Sequence, residues 1–513
     1  MDLTTEYKPA IEAAALDRTE SAVCESDLKG STAADMQHME RMGKQQQLQR
    51  NFRQITSFSF SMILVATWET VFGVAGLGLT NGGSAGFIYM YIVVWIAFLC
   101  VYTSMAEMGS MAPTSGGQYH WVSEFAPPKY QKVLSYIVGW LSVLGWQTSV
   151  AAVSYLVATE IQGLIVLNQP SYTFERWHGT LLMIAVASLA ALFNILLSKH
   201  LPTIEGLILI LHLAGFLAIL VPLWTLNPAA TPTTVFTTFR NNGWDSTGTS
   251  CLVGILAPIL TMLGADSVAH MSEEIRDASR ALPRAIVYSC AFNGLLGLIM
   301  AITLCFVIGD VDTVLATPTG FVFIQLFYNT TGSLLATNAM CAVVIIVAFF
   351  AVITIMASAS RQCFAFARDD GLPGSKWLRG VKEGWDLPLN AIYLSLGVAV
   401  LLSLIVVGSA AAFNSLTSLG AVALLSSYIF CVGCFLWNRL TGKVRLPSEF
   451  DLGRWSPVVS AVAVAGLLVM FVFAFFPPAP KPMLQAVNMN WSCLIFGSAC
   501  AWGAGYYVLV ARK

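Results

Sequence analysis

The stretch FSFSMILVATWETVFGVAGLGL, residues 58–79, decides the fold. A helix rises 1.5 Å per residue, so a run of this length crosses the ~30 Å hydrocarbon layer of a bilayer. It carries a single charged residue, Glu69, midway along. Eleven comparable apolar runs follow, at about 87–110, 134–166, 178–198, 203–225, 251–272, 286–308, 334–359, 389–408, 412–436, 457–476 and 491–510. Backbone polar groups in lipid must be satisfied within the segment, which leaves helices as the reading. The pattern predicts an all-α integral membrane protein with twelve transmembrane helices. The third run is overlong and is expected to tilt or to begin outside the bilayer.

Composition agrees. Of the 513 residues, 56% are apolar and 11% charged, against roughly a quarter charged in soluble domains. A net charge of −1 offers nothing to nucleic acid. The eleven cysteines fall mostly inside apolar runs, including the pair Cys431 and Cys434, and read as small hydrophobes rather than disulfides or a metal site. No H-E-x-x-H set appears, and neither enzyme chemistry nor a cofactor is expected. Residues 1–54 are polar and contain no short apolar signal region. With nine acidic and seven basic side chains up to Arg53, they read as a disordered cytoplasmic tail.

Orientation follows from Lys and Arg, which stay in cytoplasmic loops. With the N-terminus inside, the later inner loops and C-terminus carry seventeen, against three outside: Arg176, Arg240 and Lys481. None falls within a span. Both termini are therefore expected in the cytoplasm. The sequons at Asn329 and Asn490 fall on the outer side and are candidate glycosylation sites.

Charges inside spans are expensive and mark function by default. Glu69 in span 1 and Asp266 in span 6 each lie midway along a run, beside residues that loosen a helix: Thr67, Thr70, Gly73 and Gly76, and Pro258, Thr261 and Gly264. Transporters bind solute where two discontinuous helices occupy matching places in two inverted repeats. Spans 1 and 6 have that offset if spans 1–5 and 6–10 are the repeats. With no Lys or Arg within a span, a cationic cargo or a proton would match these carboxylates. The candidate substrate residues are Trp68, Glu69, Thr70, Gly73, Trp146, Thr261, Gly264 and Asp266, the tryptophans offering a face for cation–π attraction. His212, with Glu205 seven residues earlier on the same helix face, and His270 are candidates for proton coupling. Glu107 and Glu160 read as structural or gating residues near span ends.

The segment Met111-Ala112-Pro113-Thr114-Ser115-Gly116-Gly117-Gln118-Tyr119-His120-Trp121 resembles the P-x-x-G-G-x-Y-x-W loop of the amino acid/choline transporter family of fungal permeases, in the amino acid–polyamine–organocation superfamily. Gly264 to Ile275, continuing to Pro283-Arg284, is similar to the family's signature after span 6. Ser360-Arg361 with Phe366 to Pro373 resembles its loop after span 8, and Gly78 to Gly83 the end of its span 1. The resemblance implies a LeuT-like 5+5 inverted-repeat core over 55–440, with repeats at about 55–225 and 251–437, plus two peripheral helices over 441–513. It implies proton-coupled import of an amino acid, γ-aminobutyrate, choline or a polyamine across the plasma membrane, ahead of the vacuolar membrane, by a monomer or weak homo-oligomer. A permease-like nutrient sensor and an exchanger are the alternatives. Where many superfamily members carry a glycine-rich signature in span 1, this chain has Trp68-Glu69-Thr70, which favours a cation over a substrate carboxylate. Opposite charges on the inner loops (Glu273, Glu274, Arg280, Arg361, Arg368 and Asp369) are expected to form a cytoplasmic gate.

Overall fold

A computed structural model describes residues 29–382, 384–442, 444, 446–480, 483–485 and 489–511; of these, the side chains at 410–414 are not described. Residues 1–28 of the expected tail, and Lys443, Arg445, Lys481, Arg512 and Lys513 of the charge count, lie outside the described residues. Among the described residues, twelve helices are long and apolar enough to cross a membrane: spans 1 to 12 run Gln54–Thr80, Gly83–Met111, Gln131–Asn168, Arg176–Leu196, Ser198–Leu226, Thr247–His270, Ala278–Val307, Leu334–Arg368, Leu389–Gly408, Ser415–Thr441, Gly453–Phe473 and Ser492–Val510. Each falls on a run read from the sequence. Span 3, at 38 residues, is about 57 Å long and overshoots a ~30 Å layer at one or both ends.

The spans pair by fives. Span 1 packs on span 6, span 2 on span 7, span 3 on span 8 and span 4 on span 9. Spans 1 to 4 thus each pack on the span five places later. Close approach depends on small residues, as expected where packing rather than hydrophobicity joins helices. Between spans 2 and 7, Trp95 and Tyr91 lie over Gly294 and Gly297, where a Cβ would come within about 2 Å of the Trp95 and Tyr91 side chains. Tyr91 then donates to the Gly294 carbonyl at 3.1 Å, and Trp95 to that of Cys290 at 3.0 Å. Spans 11 and 12 sit outside this core, span 11 against spans 2 and 10, span 12 against spans 3 and 10. Their outward side chains, among them Val458, Val469, Leu494 and Trp502, are exposed apolar groups of the kind lipid covers.

Residues 29–53 depart from the expectation of a disordered tail. Thr32 caps the helix Ala33–Arg41 in a reciprocal box with Asp35. The chain then runs beneath the bundle, and Phe52 exchanges backbone hydrogen bonds with Glu274 and Arg276 at 2.9 Å each. Its charged side chains find partners hundreds of residues away, which composition alone does not reveal.

Candidate functional site

Span 1 is broken. Helix 1a (Gln54–Val65) ends because Ala66 turns left-handed, φ 36° and ψ 53°, and helix 1b (Thr67–Thr80) restarts at once. That conformation costs an alanine about 1–2 kcal/mol. The first-turn N–H groups of helix 1b have no intrahelical partner, and Glu69 stands in that turn, where the helix dipole favours negative charge. Thr70 donates its hydroxyl to the Ala66 carbonyl at 2.9 Å.

Span 6 breaks opposite, between Met262 and Ser267. Leu263 is extended and Gly264 has φ 113°. A Cβ on Gly264 would also meet Leu64 Cδ2 at 2.6 Å, so glycine is required twice over. The Tyr102 hydroxyl of span 2 closes the opened backbone. It accepts from the N–H of Gly264 at 2.9 Å and of Ala265 at 3.3 Å, and donates to the Met262 carbonyl at 2.9 Å. The N–H groups that could hold a solute carboxylate here are already engaged.

A cavity of about 570 Å³ starts at these breaks and extends to Asn81, Pro478 and Asn490 at the bundle end remote from residues 29–53. Its wall is mostly apolar and, among the described residues, includes no Lys, Arg or His. Of the residues singled out by sequence, Glu69, Thr70, Gly73, Trp146 and Gly264 line it. Trp68 lies behind the wall against Phe72, His212 and Phe216, and Thr261 bonds its own helix at the Pro258 carbonyl. Asp266 is also set back. Its carboxylate accepts from the Gln118 amide and the Tyr428 hydroxyl, with His270 Nε2 4.0 Å away. Three of the eight side chains are thus held by protein partners or packing rather than presented to the cavity.

Glu69 is 2% exposed, with Oε1 2.7 Å from His212 Nδ1 and Oε2 without a partner. His212 and Glu205, both candidates for proton coupling, each bond a different partner. Seven residues along a helix is about 10 Å, beyond hydrogen-bond reach, whereas span 5 packs directly on span 1. Glu205 instead accepts from Thr354 at 2.9 Å. His270 lies 3.0 Å from the Ser115 carbonyl through Nδ1, with its ring against Trp146. Sequence reasoning missed Tyr102, Gln118 and Tyr428. Gln118 lies in the quoted loop motif and was open to discovery; the two tyrosines give no signal without the fold. Glu160, read as a structural residue near a span end, also lines the cavity.

The opposite end of the bundle is closed. Arg368 grips Glu273 through two hydrogen bonds of 2.7 and 2.8 Å, and Arg361 meets Glu274 at 2.7 Å. Burial opposes charge on Glu273, but the Arg368 guanidinium, with Lys44 and the Ser115 N–H, prevails and holds its carboxyl at about 2. The other two expected gate residues turn elsewhere: Asp369 to Lys44 and Tyr119 at 2.8 Å each, Arg280 to Glu449 at the surface. Residues 29–53 underpin this closure. Asp35 accepts from the Asp277 and Ala278 N–H groups at 2.9 and 3.0 Å, capping span 7. Arg50 donates to the Ser272 and Ile275 carbonyls.

The two sequons differ. Asn329 is exposed. Asn490 is 7% exposed, and its amide is spent on the Ala474 and Phe476 carbonyls. This corrects the expectation of a glycan there, since the nitrogen is neither free nor reachable.

Comparison with known proteins gives the same picture. The family model for amino acid permeases matches residues 51–499. A chain from Macrophomina phaseolina bearing the name of an amino acid/polyamine transporter is 33% identical over 84% of this chain and 96% of its own length. The choline transporter of Saccharomyces cerevisiae is 28% identical over 95% and 84% of the two chains, and its GABA-specific permease 29% over 93% and 84%. Twelve apolar helices, two of them broken around a central cavity, and a match across most of the length lead to one conclusion: this chain is a multi-pass membrane transporter, not an enzyme, and belongs to the amino acid permease family.

Proposed function

We propose that the chain imports a small amine-bearing solute by alternating access, with proton coupling through Glu69 and His212. The observation that carries this reading is the Glu69 carboxylate, buried, with one oxygen unpartnered, in a cavity whose wall includes no cationic side chain among the described residues. A buried carboxylate without a counter-charge is costly, and a cationic cargo or a proton supplies what the protein withholds. The occupied N–H groups at the span 6 break argue in the same direction, against a carboxylate as the main handle. The named solutes of the relatives, amino acids, polyamines, choline and γ-aminobutyrate, all carry nitrogen.

In this reading the N-terminus is cytoplasmic, the cavity faces outward, and the Glu273–Arg368 and Glu274–Arg361 pairs with residues 29–53 form the inner gate. Ammonium binding at Glu69 displaces its proton toward His212, and inward opening breaks the two ion pairs. The test is uptake into proteoliposomes of labelled choline, γ-aminobutyrate, basic amino acids and polyamines at two pH values. Glu69→Gln should reduce uptake at least about tenfold while the protein remains monodisperse. Normal kinetics in that variant would overturn the role of Glu69, and binding without accumulation would make the chain a sensor.

A further inference from the structure

Glu160 on span 3 is 1% exposed and lines the same cavity, yet its Oε2 has no hydrogen-bond partner among the described residues. The neighbouring cavity hydroxyls do not serve it. Thr159 and Ser149 bond carbonyls of their own helix, and Thr70 that of Ala66. Gly73 makes room for Glu160: a Cβ there would lie 3.4 Å from Glu160 Oε1. Gly73 is one turn beyond Glu69 on the same face of helix 1b, so Glu160 reaches the helix that carries Glu69, and both acids line one cavity. A buried polar group left unsatisfied in a native fold requires an explanation, and this one points into a space sized for a solute.

We propose that Glu160 is a second cation subsite of this cavity, and that the cargo is a diamine or polyamine with two ammonium groups separated by a short alkyl chain. The inference rests on the amine-importer reading above. A monocation would match Glu69 and leave Glu160 bare. A dication neutralises both at once, and the apolar wall formed by Leu156, Val74 and Leu77 suits the methylenes between them. Glu160 then acts as a specificity residue, selecting on the distal charge.

The test compares uptake of a labelled α,ω-diamine and the n-alkyl monoamine of equal chain length by the full chain in proteoliposomes. Wild type should favour the diamine about tenfold or more in kcat/KM, and Glu160→Gln should reduce that preference to below about threefold. In competition against labelled monoamine, unlabelled diamines of increasing spacer length should pass through one length of greatest potency, set by the separation of the two carboxyl groups. This second arm uses wild type alone and decides the matter if the variant fails to fold. No diamine preference, no length optimum, or an undiminished preference in Glu160→Gln overturns the subsite. Monoamine accumulation without diamine preference sinks this inference alone, whereas failure to accumulate any amine sinks the importer reading itself.

Discussion

Replacing Glu273 by glutamine should open the end of the bundle that carries residues 29–53. The side chain keeps its shape but loses its charge against Arg368, which holds both of its oxygens at 2.7 and 2.8 Å. A carboxyl held at about 2 instead of its ordinary 4.5 has its charged form stabilised by about 3 kcal/mol, at 1.36 kcal/mol per tenfold. The figure agrees with the 3–5 kcal/mol typical of removing one partner of a buried pair. If the pair exists only in the closed arrangement, its loss moves the closed-to-open balance by the same amount, roughly a hundredfold. The assay is a thiol placed behind the seal. Ser358 on span 8 lies between the cavity residue Ile355 and the gate residue Arg361, and bonds the Ser267 carbonyl at 3.3 Å. Ser358→Cys, with Cys24 and the exposed Cys493 and Cys500 changed to serine, is labelled by an impermeant maleimide from the face that carries residues 29–53. Glu273→Gln should raise the labelling rate about a hundredfold. An unchanged rate in a monodisperse variant would show that the pair does not lock this end, whatever its contribution to stability.

Three other outcomes follow from the same geometry. Asp35→Ala removes the cap of span 7 and the 3.5 Å partner of Arg50; it should cost about 1–3 kcal/mol and lower the thermal midpoint in detergent by several degrees, while no change would mean residues 29–53 do not dock. Gly264→Ala forces a Cβ to within 2.6 Å of Leu64 at φ 113°, so uptake should fall at least about tenfold with a loss near 2 kcal/mol, measured by uptake and by unfolding. Glu273 has a depressed folded-state value, so its contribution to closure is complete above 4.5 and is lost as pH falls through about 2. The Ser358→Cys labelling rate should therefore be flat from about pH 5 to 7.5 once corrected for reagent chemistry; a steep rise over that window would refute the assignment.

The sequence by itself determined the number and placement of the spans, because the length of an apolar run must match a fixed hydrocarbon thickness and that constraint is local. It also located Glu69 and the loosened stretches of spans 1 and 6, because a charge or a glycine in such a run stands out without knowledge of any neighbour. Only the tertiary structure decided what each of these groups touches. The contact of His212 with Glu69 was not legible because the partner comes from another helix, and periodicity reports only faces of one helix. Asp266 proved to be held by Gln118 and Tyr428, and Glu160 proved to be the unpartnered acid at the cavity, because burial and satisfaction are properties of packing. Residues 29–53 look like a solvated tail in composition, yet Lys44, Arg50 and Asp35 are ordered by groups more than two hundred residues away. Long-range pairing leaves no periodic trace in a sequence, and that is where the closure of this transporter is built.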